Sequence, residues 1–320
     1  MAQTQKPQPG GEDLNELIKV FNQSSLGVVH RQGLIRQLEE QTKAKAALYV
    51  GNIRHPAASM NLQDAVFLEN VLKQAEPIEN LDLIVNSPGG LGEAADKILH
   101  VCRQFCTKGR LRLIVPYFAK SAATMLAFGV DEVVMGPYSE LGPTDAQVKI
   151  VEGGVENYVS AQIFVDMLDN LERRIREDEK ANNGVVSQAL LVQLATLNKP
   201  FVEHCRRLQW YALDFAQRWM CKYVLREEYE KDAKAAQAIA FKTGQAFLHS
   251  GTFSHGQMLT AKDVKAHKDM HIKVEELERD DPIWRTIWQI HCACDVLFGM
   301  PAGQNISKLF ETAETTFPVY

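Results

Sequence analysis

The fold of this chain is decided by three short apolar runs, LDLIVN (residues 81–86), LRLIVP (111–116) and EVVM (132–135). Each run leads into a loop with chemically unusual residues, namely SPGG (87–90), AKSAATM (119–125) and LGPTD (141–145). Continuous apolar runs of this length are typical of strands that are covered on both faces, as in parallel sheets. Because helical patterns separate the runs, the sequence predicts parallel βαβ units with right-handed crossovers.

The organisation of the whole chain follows from composition and periodicity. Its 320 residues, 46% of them hydrophobic, suffice for one large α/β domain with an added helical part. We predict a disordered N-terminus over residues 1–12, a helical arm over 13–45 and the main domain over 46–280. Within that domain, residues 157–248 are predicted to form a long helical segment, and residues 281–320 a C-terminal helix and tail.

Several functional classes are disfavoured by composition. The net charge is −5 and the basic residues are dispersed among acids, so no nucleic-acid-binding surface is predicted. No run approaches the roughly 20 apolar residues that span a bilayer, and residues 1–12 lack an apolar block, so we expect a cytoplasmic protein without a membrane span. The six cysteines are interpreted as reduced thiols. Cys292 and Cys294 lack a second pair of ligands, so no metal or cofactor is predicted.

The SPGG tetrapeptide stands between a predicted strand and a predicted helix. The first backbone N–H groups of a helix have no intrahelical acceptor and attract negative charge. Gly89 and Gly90 allow the main chain to approach a substrate without a Cβ in the way. The loop therefore fits an oxyanion-binding site, although a tight turn without any ligand fits the tetrapeptide equally well.

Ser121 occupies a comparable place, after the second strand and before a short predicted helix. One interpretation is a helix N-cap. The other is a nucleophile whose hydroxyl projects above the sheet edge, with the Ala122 N–H directed to the same point. Without a partner motif, capping is the simpler explanation.

The ordered combination of these loops resembles the serine dehydrogenase proteinase family. It consists of SPGG (87–90), AKSAATM (119–125), DEVVMG (131–136) and SELGPTDAQ (139–147). That family belongs to the ClpP/crotonase superfamily, together with the ClpP peptidases and signal peptide peptidase SppA. The resemblance implies an α/β fold, a ClpP/crotonase-like spiral of βαβ units with helical additions at both ends. It also implies peptide-bond hydrolysis through an acyl-enzyme, and homo-oligomers.

The resemblance assigns roles by position. Ser121 matches the nucleophile, and the N–H groups of Gly89 or Gly90 and of Ala122 match the oxyanion donors. Each such donor is typically worth about 3 kcal/mol in the transition state.

The general base is less well defined by the resemblance. ClpP peptidases carry a histidine roughly 25 residues after the serine, where this chain has Asp145, and the lysine of SppA-like enzymes falls at Phe164. The remaining candidates are Lys199, which is effective as a base if desolvated, and His255 in a Ser-His-Gly turn. Asp145 is a possible orienting group, since an ordinary carboxylate is too weak a base to activate serine alone. Lys120, adjacent to the serine, is expected to point away from it.

The sequence thus favours a serine peptidase or amidase acting on peptides or unfolded segments. One alternative is a catalytically silent oligomeric scaffold or interaction protein that keeps the fold without a competent base. A second alternative, less favoured, is a crotonase-type acyl-CoA enzyme with the same oxyanion geometry.

Overall fold

The computed structural model describes residues 27–250 and 254–320. Its strands are, in chain order, β1 (Lys45–Gly51), β2 (Leu81–Asn86), β3 (Leu111–Val115), β4 (Phe118–Ala119), β5 (Glu132–Met135), β6 (Glu140–Leu141), β7 (Gln147–Glu152), β8 (Val155–Ser160), β9 (Val274–Glu276), β10 (Lys308–Thr312) and β11 (Thr316–Val319). Its α-helices are α1 (Val28–Thr42), α2 (Asp64–Ala75), α3 (Gly92–Phe105), α4 (Ala122–Met125), α5 (Ala161–Ala181), α6 (Gln188–Thr196), α7 (Lys199–Lys222), α8 (Arg226–Lys231), α9 (Ala233–His249), α10 (Ala261–Ala266) and α11 (Pro282–Gly299).

A seven-stranded sheet in the order β11-β10-β1-β2-β3-β5-β9 forms the centre of the described residues. Within this sheet, the five neighbouring strands β1, β2, β3, β5 and β9 pair in parallel. Leu83 of β2, for example, lies between Ala47 of β1 and Leu113 of β3. The three apolar runs form neighbouring strands, as the sequence predicts, and the mixed α/β fold class is confirmed.

The central strands are covered on both faces, because consecutive side chains of a strand point to opposite sides. Leu83 and Val85 pack into a core with helices α2 and α3, whereas Ile84 packs on the other side with α1 and α11. Ile35 of α1 and Ile287 of α11 are fully buried there. Burial on both sides explains why these strands read as continuous apolar runs.

The C-terminal region differs from its prediction as a helix and tail. Helix α11 is present, but β10 pairs antiparallel with β1 and β11 pairs with β10, so residues 308–319 extend the central sheet. The expected boundary at residue 280 is therefore wrong. The polar residues of β10 obscure this strand in the sequence because they are buried in ion pairs.

The region predicted as one long helical segment, residues 157–248, begins within the second strand of a hairpin. Strands β7 and β8 pair over residues 147–160, and the first helix starts at Ala161. Pro200 lies in the first turn of α7, where its missing N–H costs no intrahelical hydrogen bond, so it starts a helix rather than kinking one. Helices α5 and α7 pack together through a small separate core that includes Val165 and Cys205.

The structure describes only part of the predicted N-terminal helical arm, residues 13–45. Helix α1 lies within the predicted helical arm and packs against β1 and α11. The rest of that arm up to residue 26, and the disorder predicted for residues 1–12, lie outside the described residues. None of the helices within residues 27–250 and 254–320 combines the length and apolarity that a bilayer span requires.

Candidate active site

Four loops meet beyond the carboxyl ends of β2, β3 and β5, joined by short stretches of backbone pairing. Ser87 forms a parallel bridge with Ala119, and β4 pairs with β6. Leu141 of β6 then forms an antiparallel bridge with Leu259, through N–H···O bonds of 2.9 and 3.1 Å. The loops that begin at residues 87, 119, 140 and 254 are thereby held side by side at one edge of the sheet.

Ser121 adopts a backbone conformation that is rare for a residue with a side chain. Its φ is 51° and its ψ is −120°, and it immediately precedes α4. Its side chain makes no capping hydrogen bond, so the hydroxyl does not play the N-cap role that the sequence leaves open. A conformation of this kind costs on the order of 1–3 kcal/mol and is concentrated at functional sites.

Gly89 packs directly on the turn that carries Ser121. Its φ is 90°, and a Cβ built on it would lie 2.8 Å from the Ser121 Cβ and 3.0 Å from the Ala122 nitrogen. The distance and the backbone angle both exclude a larger residue at this position. The glycine loop and the serine turn, separated by about thirty residues in the sequence, are therefore in contact.

The backbone amides of this region have different hydrogen-bond partners. The Gly89 N–H donates to the Ser87 Oγ at 3.2 Å. The Met60 carbonyl accepts from the Leu91 N–H, and the Met60 N–H donates to the Gly89 carbonyl. Neither of these two hydrogen bonds involves the Gly90 N–H. Ala122 is the first residue of α4, and its N–H has no intrahelical acceptor. Among the hydrogen bonds between backbone groups of the described residues, none outside helices and strands is donated by the Gly90 or Ala122 amide.

A buried ion pair between Lys308 and Asp64 holds the segment that contacts the glycine loop. Lys308 donates to both carboxylate oxygens of Asp64, at 2.8 and 2.9 Å, and the Tyr49 hydroxyl donates to the same carboxylate at 2.7 Å. Burial, followed by the nearby Asp64 charge, raises the Tyr49 pKa well above its ordinary value, so Tyr49 stays a neutral donor. Asp64 also accepts from the Asn61 N–H at 2.8 Å, which fixes the segment next to Met60.

Asp145 and His255 are brought together. The His255 Nδ1 lies 2.8 Å from the Asp145 Oδ1. The Asp145 side chain is 2% exposed and that of His255 is 22% exposed, so the carboxylate is buried beneath a ring that reaches the surface. The second carboxylate oxygen, Oδ2, is buried and has no hydrogen-bond partner among residues 27–250 and 254–320. This arrangement fixes one ring nitrogen and leaves Nε2 for other contacts.

Lys199 lies elsewhere. It is exposed at the first position of α7, where its neighbours include Leu168, Glu172 and Glu203 of the helical extension. None of these neighbours belongs to the four loops around Ser121. Within the described ranges, no three His, Cys, Asp or Glu side chains gather as metal ligands would.

The sequence missed that Asp145 and His255 form a pair. Both residues were candidates, but 110 positions separate them and no local pattern links them. Thr124 was not singled out either. Its hydroxyl donates to the Ala119 carbonyl at 2.6 Å and accepts from the Gly142 N–H at 3.0 Å, so it ties the serine turn to the loop that leads to Asp145. A threonine three residues after Ser121 was the only available signal.

The glycine loop and the serine turn, at one edge of the parallel sheet, lie in the part of the chain that is similar to a known family. Residues 56–171 match the family model described as ClpP-like SDH-type serine proteinase. This match confirms the family resemblance predicted from the sequence, and it covers α2 through the first half of α5, including the glycine loop, Ser121 and Asp145.

Two proteins of Methanocaldococcus jannaschii are relatives, and both carry the name of an uncharacterized protein. MJ1495 is 28% identical over 185 residues, which are 58% of this chain and 49% of the relative. MJ0137 is 30% identical over 89 residues, which are 28% of this chain and 30% of the relative. The chain thus spans about half of the length of the first relative and less of the second.

Among solved structures, one similar chain is a mutant of the 1510-N membrane-bound stomatin-specific protease. It is 19% identical, the match covers 42% of this chain and 65% of that one, and the TM-score is 0.29.

Proposed function

We propose that this protein is a serine peptidase or amidase with Ser121 as its nucleophile. The observation that carries the proposal is the backbone of Ser121, held at a positive φ with Gly89 packed against it. A hydroxyl that caps no helix, on a turn that packs against a glycine loop, matches the requirements for acyl transfer. The match of residues 56–171 to a serine proteinase family supports the same assignment.

His255 is proposed as the general base and Asp145 as the group that orients it. Because Nδ1 is paired with Asp145, Nε2 is the nitrogen left to take the proton from the Ser121 hydroxyl. The serine oxygen attacks the carbonyl carbon, and the proton held by His255 passes to the departing amine as the C–N bond breaks. Water then hydrolyses the acyl-enzyme by the same route and restores the serine.

The Gly90 and Ala122 amides are proposed as donors to the oxygen that becomes negative in the tetrahedral intermediate. Gly89 has a different role, since its own N–H is engaged by Ser87 and its backbone fills the space next to the serine turn. Preorganised amides of this kind need not reorient during the reaction, which is why they stabilise the transition state more than the substrate.

Peptides or unfolded segments are the proposed substrates, and a homo-oligomer in the cytoplasm is the proposed form of the protein. The substrates and the oligomer rest on the family resemblance, whereas the cytoplasmic location is an expectation from composition. The alternatives are a catalytically silent scaffold and an acyl-CoA enzyme of the crotonase type. Coenzyme A binding in calorimetry would favour the latter.

A fluorophosphonate probe tests the proposal, since it labels activated serine hydroxyls. The wild-type protein and Ser187→Ala, which alters an exposed serine without a side-chain cap bond, are expected to be labelled alike. Ser121→Ala is expected to abolish labelling. A wild-type protein that stays unlabelled up to about pH 9 would favour the scaffold, and labelling that survives in Ser121→Ala would move the nucleophile elsewhere.

A further inference from the structure

The side chain of Lys120, the residue before Ser121, reaches two other loops of the site. Its Nζ lies 3.2 Å from the Leu141 carbonyl oxygen, 3.2 Å from the Gln257 carbonyl oxygen and 3.2 Å from a carboxylate oxygen of Glu140. An ammonium group has three N–H donors and no acceptor. The ammonium therefore donates to two carbonyl oxygens and forms an ion pair with Glu140, and these partners come from two separate segments.

The surroundings of Lys120 keep it in this position. Its side chain is only 16% exposed, and the charge of its ammonium is matched by Glu140. Gly142 makes room for the aliphatic chain, because a Cβ on that glycine would lie 2.6 Å from the Lys120 Cδ. A shielded, charge-assisted contact of this kind is stronger than an ordinary surface ion pair.

In the part of the chain that the structure describes, the loop that carries His255 has few other hydrogen bonds to the segment around Ser121. The N–H groups of Gly256 and Gln257 bond to Ser254, within the same loop. Beyond the Leu141 to Leu259 pairing, the hydrogen bonds described from residues 254–257 to other segments are those of His255 to Asp145 and of the Gln257 carbonyl to Lys120. Lys120, which precedes Ser121, is therefore hydrogen-bonded to Gln257, which lies two positions after His255.

From these contacts we infer that Lys120 is a positioning residue, which holds the His255 loop at a fixed place relative to Ser121. The inference rests on the proposed function, since it needs Ser121 and His255 to act together. It gives Lys120 no part in proton transfer, because its ammonium donates to the Leu141 and Gln257 carbonyls and is paired with the Glu140 carboxylate. A shift of about 1 Å between reacting groups can lower a rate about 100-fold.

The test measures fluorophosphonate labelling of Lys120→Met, which keeps the side-chain length and removes the charge and donors. The maximal rate of labelling is expected to fall about 10- to 100-fold, with the half-saturating probe concentration changed less than about twofold. Lys120→Arg, which keeps donors and charge, is expected to recover part of the rate. Lys73→Met, which breaks an exposed ion pair with Glu69, serves as the control and should label like the wild type.

A second measurement does not depend on activity. Hydrogen exchange of residues 254–259, measured in the Ser121→Ala background, should become faster when Lys120→Met is added, while the central sheet stays protected. Gly142→Ala offers an independent variant, because its Cβ displaces the Lys120 side chain. It should slow labelling in the wild-type background and add little to Lys120→Met.

The outcomes separate this inference from the proposed function. Labelling that persists in Ser121→Ala would overturn the nucleophile assignment itself. Labelling that depends on Ser121 but proceeds at the wild-type rate in Lys120→Met, with unchanged exchange in residues 254–259, would overturn the positioning role and leave the proposed function intact.

Discussion

The imidazole of His255 and the carboxylate of Asp145 are joined by a 2.8 Å hydrogen bond, although 110 positions separate the two residues in the sequence. The carboxylate is buried and the ring is partly exposed. A buried acceptor beneath a ring nitrogen selects one tautomer and one orientation of the imidazole. This pair is the reason to prefer a histidine over a lysine as the proposed base.

Replacing either member of the pair should slow the labelling of Ser121. We expect His255→Ala to lower the rate of fluorophosphonate labelling about 10²- to 10⁴-fold. Asp145→Asn should lower it as well, because an amide stabilises the imidazolium less than a carboxylate does. His204→Ala, an exposed histidine of α7, is the control. A wild-type labelling rate in His255→Ala would refute its role as base.

Gly89→Ala should damage the site through the backbone. An added Cβ meets the Ser121 Cβ at 2.8 Å, at a φ of 90° that disfavours any side chain. We expect loss of Ser121 labelling and a free energy of unfolding lowered by more than about 1 kcal/mol, measured in urea. Gly153→Ala has a φ of 58° but no atom within 4 Å of its Cβ, so it isolates the backbone cost from the collision. Equal effects of the two substitutions would contradict the contact.

Lys199→Ala should leave labelling unchanged within about twofold. The side chain is exposed at the start of α7, beside residues of the helical extension and not of the four loops. The measurement is the labelling rate across pH 6–9. A fall comparable to that of His255→Ala would restore Lys199 as the base and would require it to reach Ser121 in an assembled form of the protein.

His291 should make the protein less stable in acid. Its ring packs among Tyr117 and Trp288, and burial lowers its pKa from 6.5 to about 4. Between about pH 6.5 and 4, His291 is therefore protonated in the unfolded chain and neutral in the folded chain, so the free energy of unfolding falls as the pH drops through this range. Between pH 7.5 and 5 this loss amounts to about 2 kcal/mol.

His291→Phe keeps an aromatic ring and removes the titration. The difference in unfolding free energy between the wild type and this variant, measured in urea at both pH values, should therefore change by about 2 kcal/mol. The same difference at pH 7.5 and pH 5 would show that the ring is not held neutral by burial.

The sequence predicts the centre of the fold well, because β2, β3 and β5 are buried on both faces and so appear as apolar runs. It predicts β10 poorly for the opposite reason. Lys308 and Glu311 lie in that strand with almost no exposure, each neutralised by a partner from a distant helix. Such burial of paired charges cannot be seen in a local pattern, so the strand resembles a polar tail.

The candidate site likewise has a part that the sequence predicts and a part that it does not. Ser121, Gly89 and Gly90 follow directly from strand-to-helix junctions, which are local. The pairing of Asp145 with His255 and the contacts of Lys120 depend on how four loops are arranged at the sheet edge. Backbone pairing between Leu141 and Leu259 creates that arrangement, and its partners are 118 positions apart.

Through the Asp64 carboxylate, the proposed catalytic centre depends on a residue near the C-terminus. Its counterion, Lys308, comes from a strand near the C-terminus, whereas its other contacts anchor the segment beside the glycine loop. A protein shortened before residue 308 would keep Ser121, His255 and every glycine named above. It would nevertheless leave the Asp64 carboxylate buried without its counterion, beside the segment that contacts the glycine loop, so deletion at the far end should abolish Ser121 labelling without removing a residue of the proposed site.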